Sequence, residues 1–368
     1  MKSNRRYYDV LTRHQIYVEC VKLGIAANFN VYATKLAKLV RMNLAALHVK
    51  TLDGLTKAQL NQLIRDIHSD QVDTYKEYAI ALLALLRFFA ETDMRQTKYL
   101  FQYLYDEANP DNSSESSNVA DVPELAPSLQ GMALGGAIGS GLFGLALLAG
   151  TKAAEDRLWL TIVNAPLPAN GVLPLNFLNG SITSAMASVE AEVRKGYANR
   201  STVSAVVDTI VGTQNVNFQN GVLARVYRQQ SAVTDTIIQH ITSTVKAAVM
   251  SVQFDSYVWT SVIDGKTTQV CLDRNGNVYV FGAGPLPPAH IGCRSDIVPS
   301  VGTDDAPPSY FAWLQSQPTP FLSDILPTSK FDSLQSGKLR AKDMPKFDEA
   351  RPIGISEFAK KTRLILNP

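Results

Sequence analysis

Cysteine and charged residues are both scarce in this chain of 368 residues, which contains three cysteines and 18% Asp, Glu, Lys and Arg. Three cysteines are too few for a disulfide-stapled secreted scaffold, and their odd number suits a protein made in a reducing cytoplasm. Acids and bases nearly balance, at 33 against 35, which excludes a disordered polyelectrolyte and a dedicated, strongly basic nucleic-acid binder. The opening residues MKSNRRYYDV lack the apolar core of a secretory signal, so none is expected.

Charge is unevenly distributed along the chain. Residues 1–50 hold nine Lys and Arg against two acids, whereas residues 99–151 hold six acids and no base. Within the second region, residues 106–128 are acidic and rich in Ser, Pro and Asn. A segment so poor in large apolar side chains cannot offset the entropy lost on ordering, and it is interpreted as a disordered linker.

Apolar residues recur at helical spacing on both sides of this linker. Thr56 and Gln59 have the spacing of a capping box, ahead of an apolar stripe that begins at Leu60. A longer stripe runs through residues 222–250, with His240 beside it as an expected core histidine. The fold class predicted is mainly α, with helical bundle regions and a small C-terminal α+β module. The predicted organisation is a helical domain (1–105), an acidic disordered linker (106–128), a Gly-rich apolar segment (129–151), a helical region (152–254), a β module (255–300) and an extended C-terminal arm (301–368).

The Gly-rich segment has two interpretations. Residues 125–151 contain no charge, and Gly131, Gly135 and Gly139 repeat at four-residue spacing. On a helix this spacing gives the small-residue face used for close packing in membranes, and the length is about what a bilayer requires. Because glycines weaken both helix and hydrophobicity, a buried packing segment within an assembly remains the other interpretation.

A change to strand-like alternation begins at Tyr257. Residues 270–272 and 278–281 flank Asn275-Gly276, which predicts a β-hairpin with a type I′ turn. A Pro-rich loop then presents His290 and Cys293. A small β module is therefore expected after the second helical region.

Within this module, an Asp near a Thr precedes a Cys and a short Gly turn, and a Pro-Pro-x-His-x-x-Cys-Arg element closes the block. The residues in this pattern are Asp264, Thr267, Cys271, Gly276, Pro287, Pro288, His290, Cys293 and Arg294. The block resembles the signature of the phage head morphogenesis family, the Mu protein F-like minor capsid proteins. The resemblance covers residues 255–300, and it departs from the family at Thr268, where a Cys is frequent, and at Lys266, where an Arg is common.

The resemblance implies a Mu F-like module in a structural virion protein, a minor capsid or head morphogenesis component of a tailed bacteriophage. It implies a place inside the head near the portal, after assembly in the host cytoplasm, and a part in head assembly, DNA packaging or ejection. The partners implied are the portal or the major capsid protein, with several copies of the chain per particle. Residues expected to stabilise the module are Asp264, Thr267, Gly276, Pro288 and Arg294.

Two other functions stay open. A membrane-active ejection protein would insert residues 125–151 into the host envelope. A metal-dependent enzyme ranks third: a zinc deaminase needs a Glu two residues after its His, and Gly292 stands there. The sequence also has no Walker A loop, so the chain is not expected to be an enzyme.

Zinc binding is the chemistry that the Cys and His positions suggest. His290 and Cys293 form one chelating arm, Cys271 adds a third ligand, and Asp264 or Asp273 would supply a fourth. Closed zinc sites usually hold four nitrogen or sulfur ligands, so no cofactor or a structural zinc both remain open. The metal-free alternatives are cysteines packed as small hydrophobes and a Cys271–Cys293 disulfide in mature particles.

Basic clusters and apolar residues near the two ends suggest contacts with partners. Lys35, Lys38 and Arg41 share a helical face and are candidates for DNA contact without sequence preference. A second basic cluster lies at Lys338, Arg340, Lys342 and Lys346. In the arm, Phe311, Trp313, Phe321 and Leu322 are the expected apolar anchors on a partner.

Overall fold

The computed structural model describes residues 4–108, 152–216, 219–262, 267–301, 310–338 and 350–368. This part of the chain is mainly helical, with a small three-stranded antiparallel sheet, as the sequence predicted. The helices are α1 (Asn4–Ala27), α2 (Phe29–Ala45), α3 (Lys57–Ala108), α4 (Lys152–Asn164), α5 (Pro174–Ala198), α6 (Val203–Val211), α7 (Val222–Met250), α8 (Gln269–Arg274), α9 (Tyr310–Gln315), α10 (Thr319–Ile325), α11 (Thr328–Gln335), α12 (Ile355–Phe358) and α13 (Thr362–Leu366). The strands are β1 (Ser256–Thr260), β2 (Val278–Val280) and β3 (Asp296–Pro299), and short 3₁₀ turns lie at Leu52–Gly54, Gln214–Val216 and Ala359–Lys361.

The described residues form two compact units that are each discontinuous in sequence. Unit A comprises those within Met1–Gly24, Leu86–Pro174 and Asp235–Pro368. Unit B comprises those within Ile25–Leu85 and Leu175–Thr234. Unit A contains the sheet, all three tryptophans, and the residues Cys271, His290 and Cys293.

The start of α3 confirms the predicted capping box. The Thr56 backbone N–H donates to Gln59 Oε1 at 2.9 Å, and the Gln59 N–H donates to Thr56 Oγ1 at 3.3 Å. These bonds satisfy two backbone donors that a helix N-terminus leaves without intrahelical partners. The stripe that begins at Leu60 is buried, so pattern and capping agree.

Further along α3, residues 79–90 are apolar nearly all round, a pattern that predicts a helix buried on every side, and this prediction is wrong. Leu82, Leu86 and Phe89 are buried, but the side chains of Ile80 and Phe88 are 62% and 45% exposed. A run that is apolar nearly all round does not by itself identify which side packs.

The long helix α7 follows its predicted apolar stripe. Val226, Val233, Ile237 and Ile241 are all buried. His240 is buried beside them, and its Nε2 lies 3.2 Å from the Ile162 carbonyl oxygen. Burial lowers the pKa of His240 to about 4, because the charged imidazolium would lose its hydration. His240 is therefore a satisfied core histidine, as expected.

The residues Arg194-Lys195-Gly196 predict the C-terminal end of a helix, but α5 continues two residues further and ends at Ala198. A Cβ built on Gly196 would lie 2.4 Å from Val206 Cγ2 and 3.2 Å from Leu52 Cδ1. Gly196 is therefore needed for close packing inside unit B. It does not serve as the left-handed residue that commonly follows the end of a helix.

The sheet has the order β2-β1-β3, with β1 antiparallel to both neighbours. The alternation predicted for β1 is confirmed, since Tyr257 and Trp259 are buried while their neighbours are less so. All four residues of β3 are buried. The outer strand β2 is more open, with Val278 and Val280 more than half exposed.

The predicted hairpin between residues 270–272 and 278–281 is wrong. Residues 269–274 form α8, and β2 pairs with β1. Asn275 has φ −59° and ψ 126°, Gly276 has φ +81°, and the Asn277 N–H donates to the Arg274 carbonyl oxygen at 3.0 Å. These are the features of a type II turn, which also favours Gly in its second central position. The predicted position of the turn is therefore correct, but the turn follows a helix and does not connect the two strands of a hairpin.

The described parts of the C-terminal region are short helices that pack on the chain itself, in place of the predicted extended arm. Trp313, Phe321 and Leu322 are buried. The Trp313 indole Nε1–H donates to Asp9 Oδ1 of α1 at 2.8 Å, and Phe321 packs edge-on against the Tyr17 ring. Three of the four anchors expected on a partner therefore lie in the core of unit A, and the fourth, Phe311, is half-buried.

Several predicted features lie outside the described residues. These are the linker at 106–128 beyond residue 108, the Gly131, Gly135 and Gly139 face, Asp264, Lys266, Arg340, Lys342 and Lys346. Among the helices that are described, none combines the length and the apolar character needed to cross a membrane.

Candidate metal centre

Cys271, His290 and Cys293 come together beside the small sheet. Cys271 lies on α8, while His290 and Cys293 lie in the loop between β2 and β3. Cys271 and Cys293 pack against Trp259 of β1 in a small apolar cluster. Because β1 lies between the strands that flank this loop, the sheet brings together sulfurs that are 22 residues apart in sequence.

The three side chains offer three ligand atoms within 4.8 Å of one another. The Sγ atoms of Cys271 and Cys293 are 3.7 Å apart, and Cys271 Sγ lies 3.3 Å from His290 Nε2. Zinc–sulfur and zinc–nitrogen bonds in a tetrahedron place two sulfurs about 3.8 Å apart and a sulfur and a nitrogen about 3.6 Å apart. The observed separations are close to both values, so these residues can hold a metal ion.

The orientation of His290 is set by the backbone. Its Nδ1 lies 2.9 Å from the carbonyl oxygen of Ile291, which fits an Nδ1–H donor and leaves Nε2 free to act as a ligand. A second-shell carbonyl of this kind fixes the tautomer and ring plane of metal-binding histidines. The loop itself is tied down where the Gly292 N–H donates to Thr236 Oγ1 of α7 at 3.0 Å.

Contacts among the three groups shift their proton affinities. The hydrogen bond between the cysteines lowers the pKa of the Cys293 thiol and raises that of Cys271. The same sulfur, Cys293, raises the pKa of the His290 imidazole above its ordinary value. An anionic Cys293 sulfur is thus favoured in a mostly buried site, and thiolate is the form in which cysteine binds metals.

Two serines next to strand ends, Ser261 after β1 and Ser295 before β3, complete the surroundings of Cys271. The Ser261 hydroxyl donates to the Cys271 carbonyl oxygen at 2.9 Å and lies 3.0 Å from the Ser295 hydroxyl. Ser295 in turn hydrogen-bonds the Cys271 side chain. The sequence prediction missed both serines, because a lone serine near a strand end carries no signal of its own.

A cleft of about 270 Å³ opens next to the cluster. Its walls are Val262, Thr267, Thr268, Cys271, His290, Ile291, Gly292, Arg294 and Ser295. Cys271 and His290 line the cleft and Cys293 does not, although both cysteines are buried, at 3% and 1% exposed. The cluster has an open side and a closed side.

Of the two carboxylates expected as a fourth ligand, Asp264 is outside the described residues. Asp273 is not brought to the cluster: its Oδ1 accepts a hydrogen bond from Gln269 Nε2 at 2.6 Å on the exposed side of α8. In the described part of the chain, the set of metal-ligating side chains is two cysteines and one histidine.

The other predicted module residues surround this cluster. Thr267 Oγ1 donates to the Val262 carbonyl oxygen at 2.6 Å, and Arg294 lines the cleft. Gly276 forms the turn after α8, and Pro288 follows a cis peptide bond in the loop that leads to His290.

The predicted DNA contacts Lys35, Lys38 and Arg41 lie elsewhere, as exposed residues of α2 in unit B. Lys35 Nζ is 2.6 Å from Glu77 Oε2, so part of this basic face is neutralised by α3. Lys338, the described member of the C-terminal cluster, is exposed in unit A.

A buried ion pair behind the module was not anticipated. Lys246 Nζ of α7 lies 2.6 Å from Asp296 Oδ2 of β3, with side chains 0% and 6% exposed. It joins β3 to the long helix, and neither residue lines the cleft. No sequence pattern predicts this ion pair, because Lys246 and Asp296 are 50 residues apart and only the folded structure brings them together.

The chain matches no known family model, no curated protein and no solved structure. What can be said of function therefore depends on the geometry of this centre and on the sequence pattern that contains it.

Proposed function

We propose that this chain is a structural virion protein, a minor capsid or head morphogenesis component located inside a phage head near the portal. It would act by binding, with its helices on the portal or the major capsid protein, in several copies per particle. Assembly would take place in the host cytoplasm, with a part in DNA packaging or ejection. The observation that supports this is the convergence of Cys271, His290 and Cys293, which belong to the pattern that resembles the Mu protein F-like family.

We further propose that the centre holds zinc. Two thiolates and an imidazole are a donor set that suits Zn²⁺ better than Mg²⁺ or Ca²⁺, which prefer oxygen ligands. Cys271 and Cys293 would bind through sulfur and His290 through Nε2. When bound, the ion would cross-link α8 to the loop before β3 and so stiffen a module with only three short strands. Small domains of this kind commonly depend on a metal for stability.

Metal content of the purified chain tests the zinc site. One zinc per chain is expected, and C271S, C293S and H290A should each lose most of it. The third cysteine provides a matched control: Cys20 lies buried in α1, outside the cluster, so C20S should retain the metal. A chain purified without zinc that takes up none on addition would contradict the site, as would full retention by C271S.

The location in a particle tests the proposed function directly. In purified heads of the phage that encodes this chain, chemical cross-linking with mass spectrometry is expected to join it to the portal or the major capsid protein. A reconstruction of the same heads should place its density on the inner side of the portal vertex. Detection of the chain only in cell extracts, and never in purified heads, would refute the proposal.

The contact with packaged DNA is proposed for the exposed basic residues of α2. Lys38 and Arg41 are exposed beside the Lys35–Glu77 pair. Phosphate contacts without base readout release counterions, so affinity should fall steeply with salt and should not vary with sequence. K38A/R41A should flatten that salt dependence. Binding that is unchanged between low and high salt would rule the contact out.

A further inference from the structure

The two cysteines of the centre are placed for a reaction with each other. Their Sγ atoms are 3.7 Å apart and both are free thiols. A disulfide bond is about 2.05 Å long, so the sulfurs must approach by a little under 2 Å. Cys271 lies in the six-residue helix α8, and Cys293 follows Gly292 in the loop before β3.

The cleft gives the pair a direction of attack. Cys271 and His290 line it, and Cys293 lies behind Cys271. A small disulfide that enters the cleft reaches the Cys271 sulfur first, beside the His290 Nε2 at 3.3 Å. The buried sulfur of Cys293 is then the nearer nucleophile for the second step, because solvent and large thiols are kept from it.

We propose that Cys271 and Cys293 are a redox modification site, oxidised by low-molecular-weight disulfides of the glutathione class to an intramolecular disulfide that is incompatible with a bound metal. In the first step the Cys271 thiol loses its proton to water as its sulfur attacks the disulfide RSSR, forming a Cys271–SR bond and releasing RS⁻. In the second, the Cys293 thiolate attacks Cys271 Sγ, forming the Cys271–Cys293 bond and releasing a second RS⁻. The two thiol protons end on the two RSH molecules, the protein dithiol is oxidised, and RSSR is reduced.

The metal part of this inference rests on the proposed zinc site, and the dithiol chemistry does not. Both thiolates are needed as ligands, and a disulfide sulfur has lost the charge with which it would bind zinc. Oxidation would therefore release the ion. For a virion protein, the reduced form belongs to the host cytoplasm and the disulfide to the released particle, since the two compartments differ in redox poise.

The experiment uses the full-length chain, freed of metal by a chelator and incubated with oxidised glutathione. Remaining thiols are alkylated after unfolding and counted by intact mass and peptide mapping. The expected result is a fall from three free thiols to one, with the surviving thiol at Cys20, which is buried in α1 and does not belong to the cluster. Dithiothreitol should restore all three.

Variants separate the two steps. C293S should stop at a stable mixed disulfide on Cys271, and C271S should react much more slowly because Cys293 is off the cleft. C20S should lose both of its thiols as the parent does. Three thiols surviving in the metal-free chain would overturn the inference, and so would a mixed disulfide that accumulates on the parent chain without closing.

A second arm separates this inference from the zinc site. Zinc-loaded chain is treated in the same way, and released metal is followed with a colorimetric chelator. Release in step with thiol loss supports both ideas. If the chain binds no zinc yet closes the disulfide, the zinc site fails and the redox site stands. If it binds zinc but keeps three thiols once stripped of metal, the reverse holds.

Discussion

Neutralising Asp296 should destabilise unit A far more than neutralising an exposed aspartate in the same unit. Asp296 faces Lys246 at 2.6 Å, and D296N removes only the charge, leaving an ammonium group that is 0% exposed without its partner. Breaking a buried ion pair by removing one member costs about 3–5 kcal/mol, because the remaining charge has lost its hydration without compensation. Asp156 offers the exposed control: it pairs with Arg87 at 2.5 Å and with Lys152 at 3.3 Å, and the three side chains are 47%, 43% and 60% exposed. For such a pair D156N should cost about 0.2–1 kcal/mol.

Urea unfolding followed by tryptophan fluorescence is the suitable assay, because Trp159, Trp259 and Trp313 all lie in unit A. The double variant K246M/D296N should be more stable than D296N, since it leaves no buried charge unpaired. If D296N and D156N lower the free energy of unfolding by the same amount, the reasoning from burial is refuted. A double variant less stable than either single variant would refute it as well.

Three further predictions concern packing, capping and pH. G196A should destabilise unit B by about 1–3 kcal/mol through overpacking against Val206, whereas G180A, in the same helix with nothing within 4 Å of its Cβ, should stabilise it by about 0.5–1 kcal/mol; thermal unfolding by circular dichroism measures both, and equal shifts would contradict the packing argument. T56A should cost about 0.5–2 kcal/mol by removing the cap of α3, and a melting temperature unchanged from the parent would count against that role. Burial lowers the pKa of His240 to about 4, below its ordinary 6.5, so the unfolded chain binds the proton and stability falls as pH drops from 6.5 to 4. Burial raises the pKa of Asp235 to about 7 from 3.8, so its contribution is present below pH 3.8 and is lost as pH rises toward 7. The two effects nearly cancel between pH 4 and 6.5: in urea titrations across this range, D235N should lose stability as the pH falls and H240Q should gain it, and identical pH profiles for both variants would refute these assignments.

Helical periodicity was informative wherever a single helix buries a single stripe. The capping box at Thr56 and the stripe of α7 both depend on spacing within one segment, and both are confirmed. Ile80 and Phe88 are exposed, and they show the limit of periodicity as a guide. In a helix that is apolar nearly all round, the pattern does not indicate which face packs against another element. Which face packs is decided by elements that lie far away in sequence.

The module shows the same division. The alternation of β1 and the turn at Asn275-Gly276 were readable, because burial and turn chemistry act over a few residues. The strand that pairs with β2 could not be predicted from the sequence. The residues Asn275-Gly276 are compatible with both type I′ and type II turns, and residues 269–274 form the helix α8 and not the first strand of a hairpin. The packing of the final helices could not be predicted either. The content of Pro and Ser indicates an extended arm, and the α1 surface on which Trp313 and Phe321 pack is far away in sequence.

The sequence by itself determined the helical class, the local caps and turns, and the residue types capable of metal chemistry, because these follow from short-range spacing and from side-chain chemistry. Only the tertiary structure decided that two sulfurs stand 3.7 Å apart, one open to a cleft and one closed from it. It also decided that Lys246 meets Asp296 out of water. Distances between groups separated by 20 to 50 residues depend on how sheet and helices pack, and no local pattern encodes that packing.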